Sequence, residues 1–554
     1  MWQTLVGAGI VVATLTVMTL GIVRPVIALG CALVVAGMLG IAPASALYSG
    51  LSNGGVITVG AMLVIAKGVV QTGVVSRMTR RLLANAETAQ QALRRLAAPV
   101  GVASALMNTT PIVAMLIPAT KGLQQTRSIP AREVMLPIAH ITTLAGSMTL
   151  IGTSSNLLIA GIAGSSGVRV SMFSFAPIAF PTAVVGAVAI YFLAPRLLRA
   201  PITATDVDLD WRLEMPVSPK AVVIGRTAEQ VALAHARDYE LASVRRDGTY
   251  LDPEVPIEGG DLMVFRTTEE GVRALWASPL FGLSPHRLYA VSIASGEENG
   301  YLTDFEEDGT VQVVAARTKV SLRRTAMRPG STCYLSAEDA DVLRSYESIA
   351  LWQDAASRAP QPRKAWIALS ILAAVVITAS FGLVPVEFGS VGGALLMVLT
   401  GVLTPRSAGR ALDWNILFVL AGSVGLGAIV LSSGLADLLA SGIRYVAAGS
   451  AILVIIVFAL TTTLLTNLVT NAAAASILTP VALSLATELG VEPVTLLALI
   501  GTCISFTFIT PFSHQSNLMV MGPMGYTTNE FVRFGVPILV VALITATLAA
   551  ALLR

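Results

Sequence analysis

Amide and hydroxyl side chains interrupt two long apolar stretches of this sequence, and they are the residues best suited to bind a solute. The first stretch reads SALMNTTPIVAMLIP (104–118) and the second reads LLTNLVTNAAAASILTP (464–480). Polar groups are costly inside a bilayer unless they line a cavity or an ion site. Asn108 and Asn471 can donate to an oxyanion and offer an oxygen to a cation, although either would also serve as a helix cap. Because the break occurs twice in corresponding places, it predicts the binding site of a transporter.

A second polar break follows each of these stretches. The two breaks read LIGTSSNLLI (150–159) and TPFSHQSNLMV (510–520), and aligning them sets residues 152–156 against 513–517. Half-helices that begin there would aim unpaired N–H groups at an anion, while unwound carbonyls can hold a cation. For the serines of both breaks, helix capping is an equally good explanation.

Three titratable residues fall inside apolar segments. Lys67 is either a fixed charge that replaces a coupling cation, or a proton-coupling group, or a side chain that snorkels to the interface. His514 is either a proton sensor or a neutral hydrogen-bonding group that shapes its loop, and His140 is the other histidine in an apolar segment. No Ser/His/Asp grouping or paired carboxylates occur in these segments, and the three cysteines are far apart. The sequence therefore predicts neither an enzyme nor a cofactor or disulfide framework.

The elements that position these residues are membrane spans. The chain is 54% hydrophobic and 12% charged, against about 25% charged in a typical soluble domain. A span needs about 20 apolar residues, and ten such segments are predicted, at 4–21, 24–42, 54–74, 133–163, 173–195, 365–383, 388–403, 414–438, 495–519 and 530–553. The stretches at 96–121 and 448–485 are predicted to be re-entrant hairpins of short helices. The fold class is thus an α-helical polytopic membrane protein with two halves, 1–199 and 363–554.

Between the halves lies a charged insert at 200–362, which is predicted to be a soluble α+β domain, since 25 of the 33 acidic residues fall between 201 and 360. Alternating patterns predict strands at 221–225, 239–251, 261–267, 288–294, 311–317 and 332–336, with Asp247-Gly248 as a hairpin turn. Helices are expected at Thr227–Arg237, Glu269–Trp276 and Ala337–Tyr346, and Ala359-Pro360-Gln361-Pro362 is expected to be the linker back to the membrane. The insert has no Gly-rich phosphate loop, so nucleotide hydrolysis is not predicted.

Basic residues predict the topology, since loops rich in Lys and Arg face the cytoplasm. Arginines follow the third predicted span and also lie at Arg406 and Arg410. This places the insert in the cytoplasm and both termini outside the plasma membrane. Five spans precede the insert and five follow it, so the halves have opposite orientations and their shared site lies near the midplane.

These motifs resemble the divalent anion:sodium symporter (DASS) branch of the ion transporter superfamily, through NTTPIVAMLIP (108–118), GTSSNLL (152–158) and HQSNLMVMGPMGY (514–526). In the insert, VIGRTAEQVAL (223–233) with EVPIEGGDLMVF (254–265) resembles a TrkA-C (RCK_C) domain over 218–280, with a degenerate second copy over 286–350. The resemblance implies an elevator transporter, a homodimer, and a regulatory insert that binds a nucleotide or another small ligand. No nucleic-acid partner is implied.

The resemblance also implies site residues, since the family hallmark is Ser-Asn-Thr at each hairpin tip. Here the tips read Met107-Asn108-Thr109 and Thr470-Asn471-Ala472. The implied substrate contacts are Asn108, Thr109, Thr153, Asn156, Asn471, Ala472, His514 and Asn517. The implied first sodium site uses Ser104, Asn108 and the Gly152 carbonyl, and the second uses Thr466, Thr470, Asn471 and the Ser513 carbonyl.

Two departures from the hallmark bear on function. Met107 offers a thioether where Na⁺ prefers a hard oxygen, and Ala472 lacks a hydroxyl that would bind a carboxylate. The expected function is therefore cation-coupled transport of sulfate or a related oxyanion, with Na⁺ or H⁺ as the driving ion, in preference to a dicarboxylate. The alternatives are a cation/proton or arsenite-type antiporter of the same superfamily, and a ligand-gated channel.

Overall fold

The computed structural model describes residues 2–20, 22–127, 129–198, 209–231, 233, 235–236, 238–252, 254–282, 287–293, 300–328, 330–343, 345–346, 348–354 and 364–553. The predicted linker at 359–362 lies outside these residues. The chain divides into two compact units. One unit comprises Met1–Ala200, Pro360–Val520 and Tyr526–Arg554, and the other comprises Pro201–Ala359 and Met521–Gly525.

The first unit is helical, and its two halves contain the same series of helices. Those of the first half are α1 (Trp2–Thr19), α2 (Pro25–Met38), α3 (Ala44–Leu47), α4 (Gly54–Gln71), α5 (Val74–Leu83), α6 (Ala89–Leu106), α7 (Thr109–Arg127), α8 (Arg132–Gly146), α9 (Ser154–Ser165) and α10 (Ala176–Leu197). Those of the second half are α13 (Ala365–Ser380), α14 (Val386–Leu399), α15 (Pro405–Ala411), α16 (Trp414–Ser432), α17 (Leu435–Val446), α18 (Ala451–Leu468), α19 (Asn471–Leu489), α20 (Pro493–Ile504), α21 (Gln515–Met524) and α22 (Thr528–Leu553). Each helix of one half thus has a counterpart in the other.

Apolar composition and length explain why these segments form membrane helices. Among the described residues, seven helices are long and apolar enough to cross a membrane, and four shorter ones are also apolar. The chain is therefore a multi-pass membrane protein. The fourth predicted span of each half is interrupted, as its polar break predicts, and forms the pairs α8/α9 and α20/α21.

Two details of the helices differ from the sequence prediction. The helices on either side of the two tips have 18 and 19 residues in both halves, so they are longer than the short helices predicted for the two hairpins. At 1.5 Å per residue they are long enough to cross a membrane, and their re-entrant course stays a prediction. In addition, Gly73 and Gly434 adopt left-handed conformations, with φ of 67° and 74°. These glycines end the predicted third spans and begin the separate short helices α5 and α17.

The second unit is built on one antiparallel sheet that joins two copies of the same motif. Its strands are β1 (Trp211–Pro216), β2 (His235–Ala236), β3 (Tyr239–Arg246), β4 (Thr249–Leu251), β5 (Leu262–Thr267), β6 (Arg287–Ile293), β7 (Val311–Arg317), β8 (Thr332–Ala337) and β9 (Ile349–Asp354). Their order is β2-β3-β5-β1-β7-β8-β6-β9, with β4 paired to β3. The order β3-β5-β1 of the first copy recurs as β7-β8-β6 in the second.

The irregularities of the sheet recur as well. The register between β3 and β5 shifts between Leu241 and Ser243, and that between β7 and β8 shifts between Val313 and Ala315. These shifts fall at the same place in the two copies, since Leu241 pairs with Phe265 as Val313 pairs with Leu335. A β-bulge is a conserved feature of a fold, so the second copy retains the backbone of the first.

Several predictions for the insert are confirmed, and others are wrong. The hairpin turns at Asp247-Gly248, where both residues have positive φ, and α11 (Glu269–Trp276) forms as expected. Residues 222–225 form turns instead of a strand, and 228–231 form turns where a helix was expected. Within the described residues, the helix of the second copy is α12 (Ala340–Leu343). Strands β1, β2 and β9 were missed, and β2 lies within the segment expected to be a helix.

Buried charges fix the loops of the first copy. Asp261 is 1% exposed and accepts two hydrogen bonds from Arg246, each 2.8 Å long, and one from the Glu258 backbone N–H, also 2.8 Å. Burial alone would raise the pKa of this carboxyl, but the hydrogen bonds outweigh it, so the pKa of Asp261 lies below its ordinary value. In the second copy, burial raises the pKa of the Cys333 thiol to about 12, which keeps the thiol protonated and unreactive.

Candidate functional site

The first tip is the short extended segment that joins α6 to α7. The Asn108 side-chain oxygen accepts from the backbone N–H of Thr110 at 3.3 Å, which caps α7. Ser104, in the last turn of α6, donates to the Thr142 carbonyl at 2.7 Å and lies 3.1 Å from the Thr109 hydroxyl. Ser104 and Thr109 are buried, whereas Asn108 is partly exposed. The tip therefore has a buried hydroxyl pair and an accessible amide.

The second tip repeats this arrangement between α18 and α19. Thr470 caps α19 by accepting from the Ala473 N–H at 3.3 Å. The Thr466 hydroxyl lies 2.9 Å from the Ile504 carbonyl and 3.0 Å from the Asn471 side-chain oxygen. Asn471 is partly exposed and Thr466 is buried.

The two tips correspond with a shift of one residue from the sequence alignment. The pairs Ser104–Thr109 and Thr466–Asn471 both join residues five apart, and each first member also bonds a carbonyl 38 residues further on. The counterpart of Asn471 is therefore Thr109. The three residues of the first tip that correspond to Thr470-Asn471-Ala472 are thus 108–110, and not 107–109. Met107 is buried ahead of this triad, so its thioether does not replace an oxygen of the tip.

In the first broken segment, one buried asparagine holds the loop together. The Asn156 amide nitrogen donates to the Ser147 and Thr149 carbonyls at 3.0 and 2.9 Å. The Thr149 hydroxyl donates to the Ala105 carbonyl and accepts from the Gly152 N–H at 3.1 Å. The loop is thereby fixed against the end of α6.

The second broken segment is held in the same way. The Asn517 amide nitrogen donates to the Thr507 and Thr510 carbonyls at 2.5 and 3.2 Å, and the Thr510 hydroxyl accepts from the Ser513 N–H at 3.1 Å. Asn517, like Asn156, is fully buried, and both its amide hydrogens are committed to the loop. The amide nitrogens of Asn156 and Asn517 therefore position the two loops, and the contact of either residue with substrate stays a prediction.

His514 takes the place that Thr153 has in the first half. The Thr153 hydroxyl lies 3.0 Å from the Ser155 hydroxyl, and His514 Nδ1 lies 2.6 Å from the Ser516 hydroxyl. His514 Nδ1 also accepts from the Ser516 backbone N–H at 3.1 Å. A nitrogen that accepts carries no proton, so the ring proton resides on Nε2. His514 therefore shapes its loop and keeps one N–H available for another partner.

Several oxygen atoms surround the space that a side chain would occupy at Gly146 and at Gly152. A Cβ on Gly146 would lie 3.0 Å from the Thr109 hydroxyl, 3.3 Å from the Gly152 carbonyl oxygen and 3.5 Å from the Ser104 hydroxyl. A Cβ on Gly152 would lie 2.3 Å from the Gly146 carbonyl oxygen and 2.9 Å from that of Ser104. Hydroxyl and carbonyl oxygens are the type of ligand that hard cations such as Na⁺ take, and the binding of Na⁺ by this cluster stays a prediction.

The predicted site residues thus form two groups that share no direct hydrogen bond among the described residues. The first group contains Ser104, Asn108, Thr109 and Gly152, and the second contains Thr466, Thr470, Asn471 and Ser513. Among the predicted substrate contacts, the side chains that are not buried belong to Asn108, Thr153, Asn471, Ala472 and His514. The position of Asn108 opposite Asn471 across one pocket stays a prediction.

The two remaining intramembrane candidates share no hydrogen bond with either group among the described residues. Lys67 is exposed on α4, as expected of a snorkelling side chain. His140 is fully buried, with ring centroids 5.0 Å from Phe508 and 5.6 Å from Phe534. Neither of its nitrogens has a hydrogen-bond partner among the described residues.

Three site residues escaped the sequence analysis. Thr149 and Thr510 each stand three residues before the loop residue that they cap, a match that appears when the alignment of 152–156 with 513–517 is extended three residues toward the N-terminus. Asn467 donates from α18 to the Phe506 carbonyl at 2.9 Å. Nothing in the sequence alone distinguished it from Asn471.

Broken apolar helices with paired polar tips are typical of membrane transporters, and the family and relatives of this chain are transporters and not enzymes. The profile of the citrate transporter family (CitMHS) matches residues 11–478 and 426–553, and the chain belongs to this family. It is similar to the uncharacterized transporter sll0640 of Synechocystis, with 26% identity over 91% of this chain and 89% of that protein.

Two relatives from Chlamydomonas reinhardtii have names that refer to sulfur. A protein named after the sulfur deprivation response is 28% identical over 91% of this chain and 94% of its own length. Sodium/sulfate cotransporter 1 is 29% identical over 39% of this chain and 25% of its own length.

Proposed function

We propose that this protein imports sulfate or a closely related dianion, driven by a cation gradient. The proposal rests on one observation. The first tip and the loop beside it contain both an accessible N–H donor, on Asn108, and a cluster of hydroxyl and carbonyl oxygens that could bind a cation. The names of the sodium/sulfate and sulfur-deprivation relatives support the same substrate class.

The anion is bound by neutral donors. Asn108, Asn471 and the Nε2–H of His514 supply side-chain N–H groups, and the helices that begin at each tip and loop supply backbone ones. The segments 104–110, 147–156, 463–473 and 505–517 contain no Asp, Glu, Lys or Arg. A site without a carboxylate acceptor favours an anion that carries no proton, so sulfate is preferred over hydrogen phosphate.

The cation is Na⁺, and it is transported with the anion. The Ser104 and Thr109 hydroxyls and the Gly146 and Gly152 carbonyls would hold it in the first half. In the second half, Thr466, Thr470, Asn471 and the Ser513 carbonyl would form the corresponding set. A cation beside the anion offsets the repulsion that a dianion would meet in a low-dielectric site.

The two halves have inverted orientations and move the tips across the membrane as an elevator. The paired helix order and the matched hydrogen bonds of the two tips support this arrangement. The protein functions as a homodimer, with both termini outside and the insert in the cytoplasm. The insert is a pair of TrkA-C-like domains that regulates transport by binding a small ligand. Its repeated strand order and matching bulges support the pairing.

Citrate is the second candidate substrate, because the matching family is described as citrate transporters. Ala472 opposes this candidate, since it lacks the hydroxyl that would bind a carboxylate. Competition between sulfate and citrate in the flux assay distinguishes the two candidates.

The test is radiolabelled sulfate uptake into proteoliposomes under an inward Na⁺ or H⁺ gradient. Uptake should saturate, require the Na⁺ gradient, and be inhibited by sulfate far more than by citrate, phosphate or arsenite. Asn471→Ala should abolish uptake, and the matched Asn85→Ala, at an exposed position, should not. Unitary currents would show a channel, and flux that follows only a proton gradient and ignores sulfate would show an antiporter.

A further inference from the structure

An open apolar groove lies in the helical unit between α4, α14 and α16. Its volume is about 460 Å³, within the range of sites that hold small organic ligands. Among the described residues that line it, only Trp414 has a polar atom in its side chain. Leu51 and Leu395 line the groove and are 62% and 59% exposed, so the groove is open along one side. On α4 the lining extends from Val56 to Val64, about 12 Å at 1.5 Å per residue.

Basic residues lie at one end of this groove. The short helix α15 forms that end, since two of its residues line the groove, and it carries Arg406 and Arg410. Arg406 is exposed. Residues 400–420 contain one acid, Asp413, whose carboxylate caps α16 by accepting from the Ile416 N–H at 3.1 Å. This end of the groove is therefore positively charged.

Lys67 adds a further cation from the α4 side. It follows Gly60 by seven residues and Val64 by three, and both of these line the groove, so the three share one face of α4. A Cβ on the neighbouring Gly68 would lie 2.7 Å from the Met397 sulfur, which places this turn of α4 against the end of α14 that leads into α15. Lys67 is exposed. It therefore lies at the same end of the groove as the two arginines.

The chemistry of the groove selects its occupant. A free dianion would find no hydrogen-bond partners along the apolar walls, and water does not fill apolar cavities. A hydrocarbon chain with an anionic head fits both the walls and the basic end. Trp414 begins α16 at this end and is 54% exposed, and tryptophan is typical of the level of lipid headgroups. Basic sites between membrane helices bind such headgroups.

We infer that the groove binds one acyl chain of an anionic phospholipid, and that Lys67, Arg406 and Arg410 bind its phosphate. This site shares no residue with the two groups at the tips and loops, so it is a lipid site and not part of the path of the transported anion. The rival occupant is a second copy of this chain, which would cover the same exposed apolar side chains.

Native mass spectrometry of the full-length protein measures the binding, with dioleoyl-phosphatidylglycerol as the probe. Dioleoyl-phosphatidylcholine has the same chains without the net negative charge, and glycerol phosphate has the charge without the chains. One phosphatidylglycerol should bind at least fivefold more tightly than phosphatidylcholine, and glycerol phosphate should not bind. Equal affinity for the two lipids, or binding of glycerol phosphate alone, overturns the inference.

Two variants test the two ends of the site separately. Arg406→Gln removes one exposed cation and should weaken phosphatidylglycerol binding about fivefold, whereas Arg533→Gln, at an exposed position on α22, should not. Ala394→Phe places a ring in the groove from α14 and should weaken the binding of both lipids at least fivefold. Its matched control is Ala374→Phe, at an exposed position on α13.

The outcomes that contradict the inference are distinct. Unchanged lipid affinity in Arg406→Gln shows that the basic end does not bind the headgroup. Unchanged lipid affinity in Ala394→Phe, with a shift from two chains to one in the same spectra, shows that the groove is a contact between copies. If Ala394→Phe does not fold, Arg406→Gln still decides, because its side chain is exposed. No sulfate is present in these measurements, so their result does not depend on the proposed substrate.

Discussion

Replacing Gly152 with alanine tests whether the oxygen cluster at the first tip binds the coupling ion. The new methyl group would lie 2.3 Å from the Gly146 carbonyl oxygen and 2.9 Å from that of Ser104. An ordinary carbon–oxygen contact is about 3.3 Å, so the loop must move by about 1 Å. A displacement of about 1 Å can lower activity about 100-fold, and overpacking of this kind destabilises a fold by about 1–3 kcal/mol.

The assay measures uptake as a function of Na⁺ concentration, together with thermal unfolding. Gly152→Ala should lower the maximal rate about 100-fold or raise the Na⁺ concentration needed for half-maximal rate by a similar factor. Gly164→Ala is the matched control, since a Cβ there meets nothing within 4 Å. It should leave transport unchanged and gain up to about 1 kcal/mol in stability. If Gly152→Ala transports sulfate within twofold of the wild type at every Na⁺ concentration, the cluster is not the cation site.

Three further outcomes are expected. A maleimide should spare Cys333 and Cys503, which are buried, until the protein is unfolded; counting labels by mass before and after unfolding checks this. Because the pKa of Asp261 lies below its ordinary value, its contribution to stability is fully present above that ordinary value of about 4 and is lost as pH falls through the folded pKa. Asp261→Asn should therefore reduce the loss of insert protection on acidification, followed by hydrogen exchange in the full-length protein. Lys67→Met should retain sulfate uptake, because Lys67 is exposed on α4; loss of uptake with intact folding would make Lys67 part of the mechanism.

The sequence predicts the position of the polar breaks well, because the physical reason for them is local. Asn and Thr in an apolar run, closed by Pro, indicate a helix end wherever they occur. The alignment of the two tips failed by one residue because Asn108 and Asn471 share an identity but not a position. The correspondence is visible only in the hydrogen bonds that join residues five apart, from Ser104 to Thr109 and from Thr466 to the Asn471 side-chain oxygen.

Roles that depend on burial could not be predicted. Asn156 and Asn517 stand where the resemblance implies substrate contacts, yet their amides are buried and bond loop carbonyls. Tyr526 belongs to a motif that the sequence analysis identified, but its hydroxyl accepts from the Leu136 backbone N–H, far away in the chain. Such long-range contacts leave no periodic signal in one sequence.

The insert shows the same limit. The turn at Asp247-Gly248 follows from local backbone preference, whereas β1 lacks clean alternation and was missed. Its place is set by pairing with β5 over six residues. The strand order and the β-bulge of the first copy recur in the second. The likeness of the two copies is therefore recognised from the pairing of their strands and not from the sequence.

The seam between the two copies of the insert has mechanical and spectroscopic consequences. β1 pairs with β7 over three residues, Trp211–Leu213, whereas it pairs with β5 over six. The backbone is thus less cross-linked along this line than between β1 and β5. Side chains also join the copies here, through the edge contact of the Trp211 and Tyr334 rings at 5.2 Å and the 3.0 Å hydrogen bond from Arg273 to the Tyr334 hydroxyl. A separation of the two copies would begin between β1 and β7. It would change the fluorescence emission of the Trp211 indole, so no added label is needed to detect it.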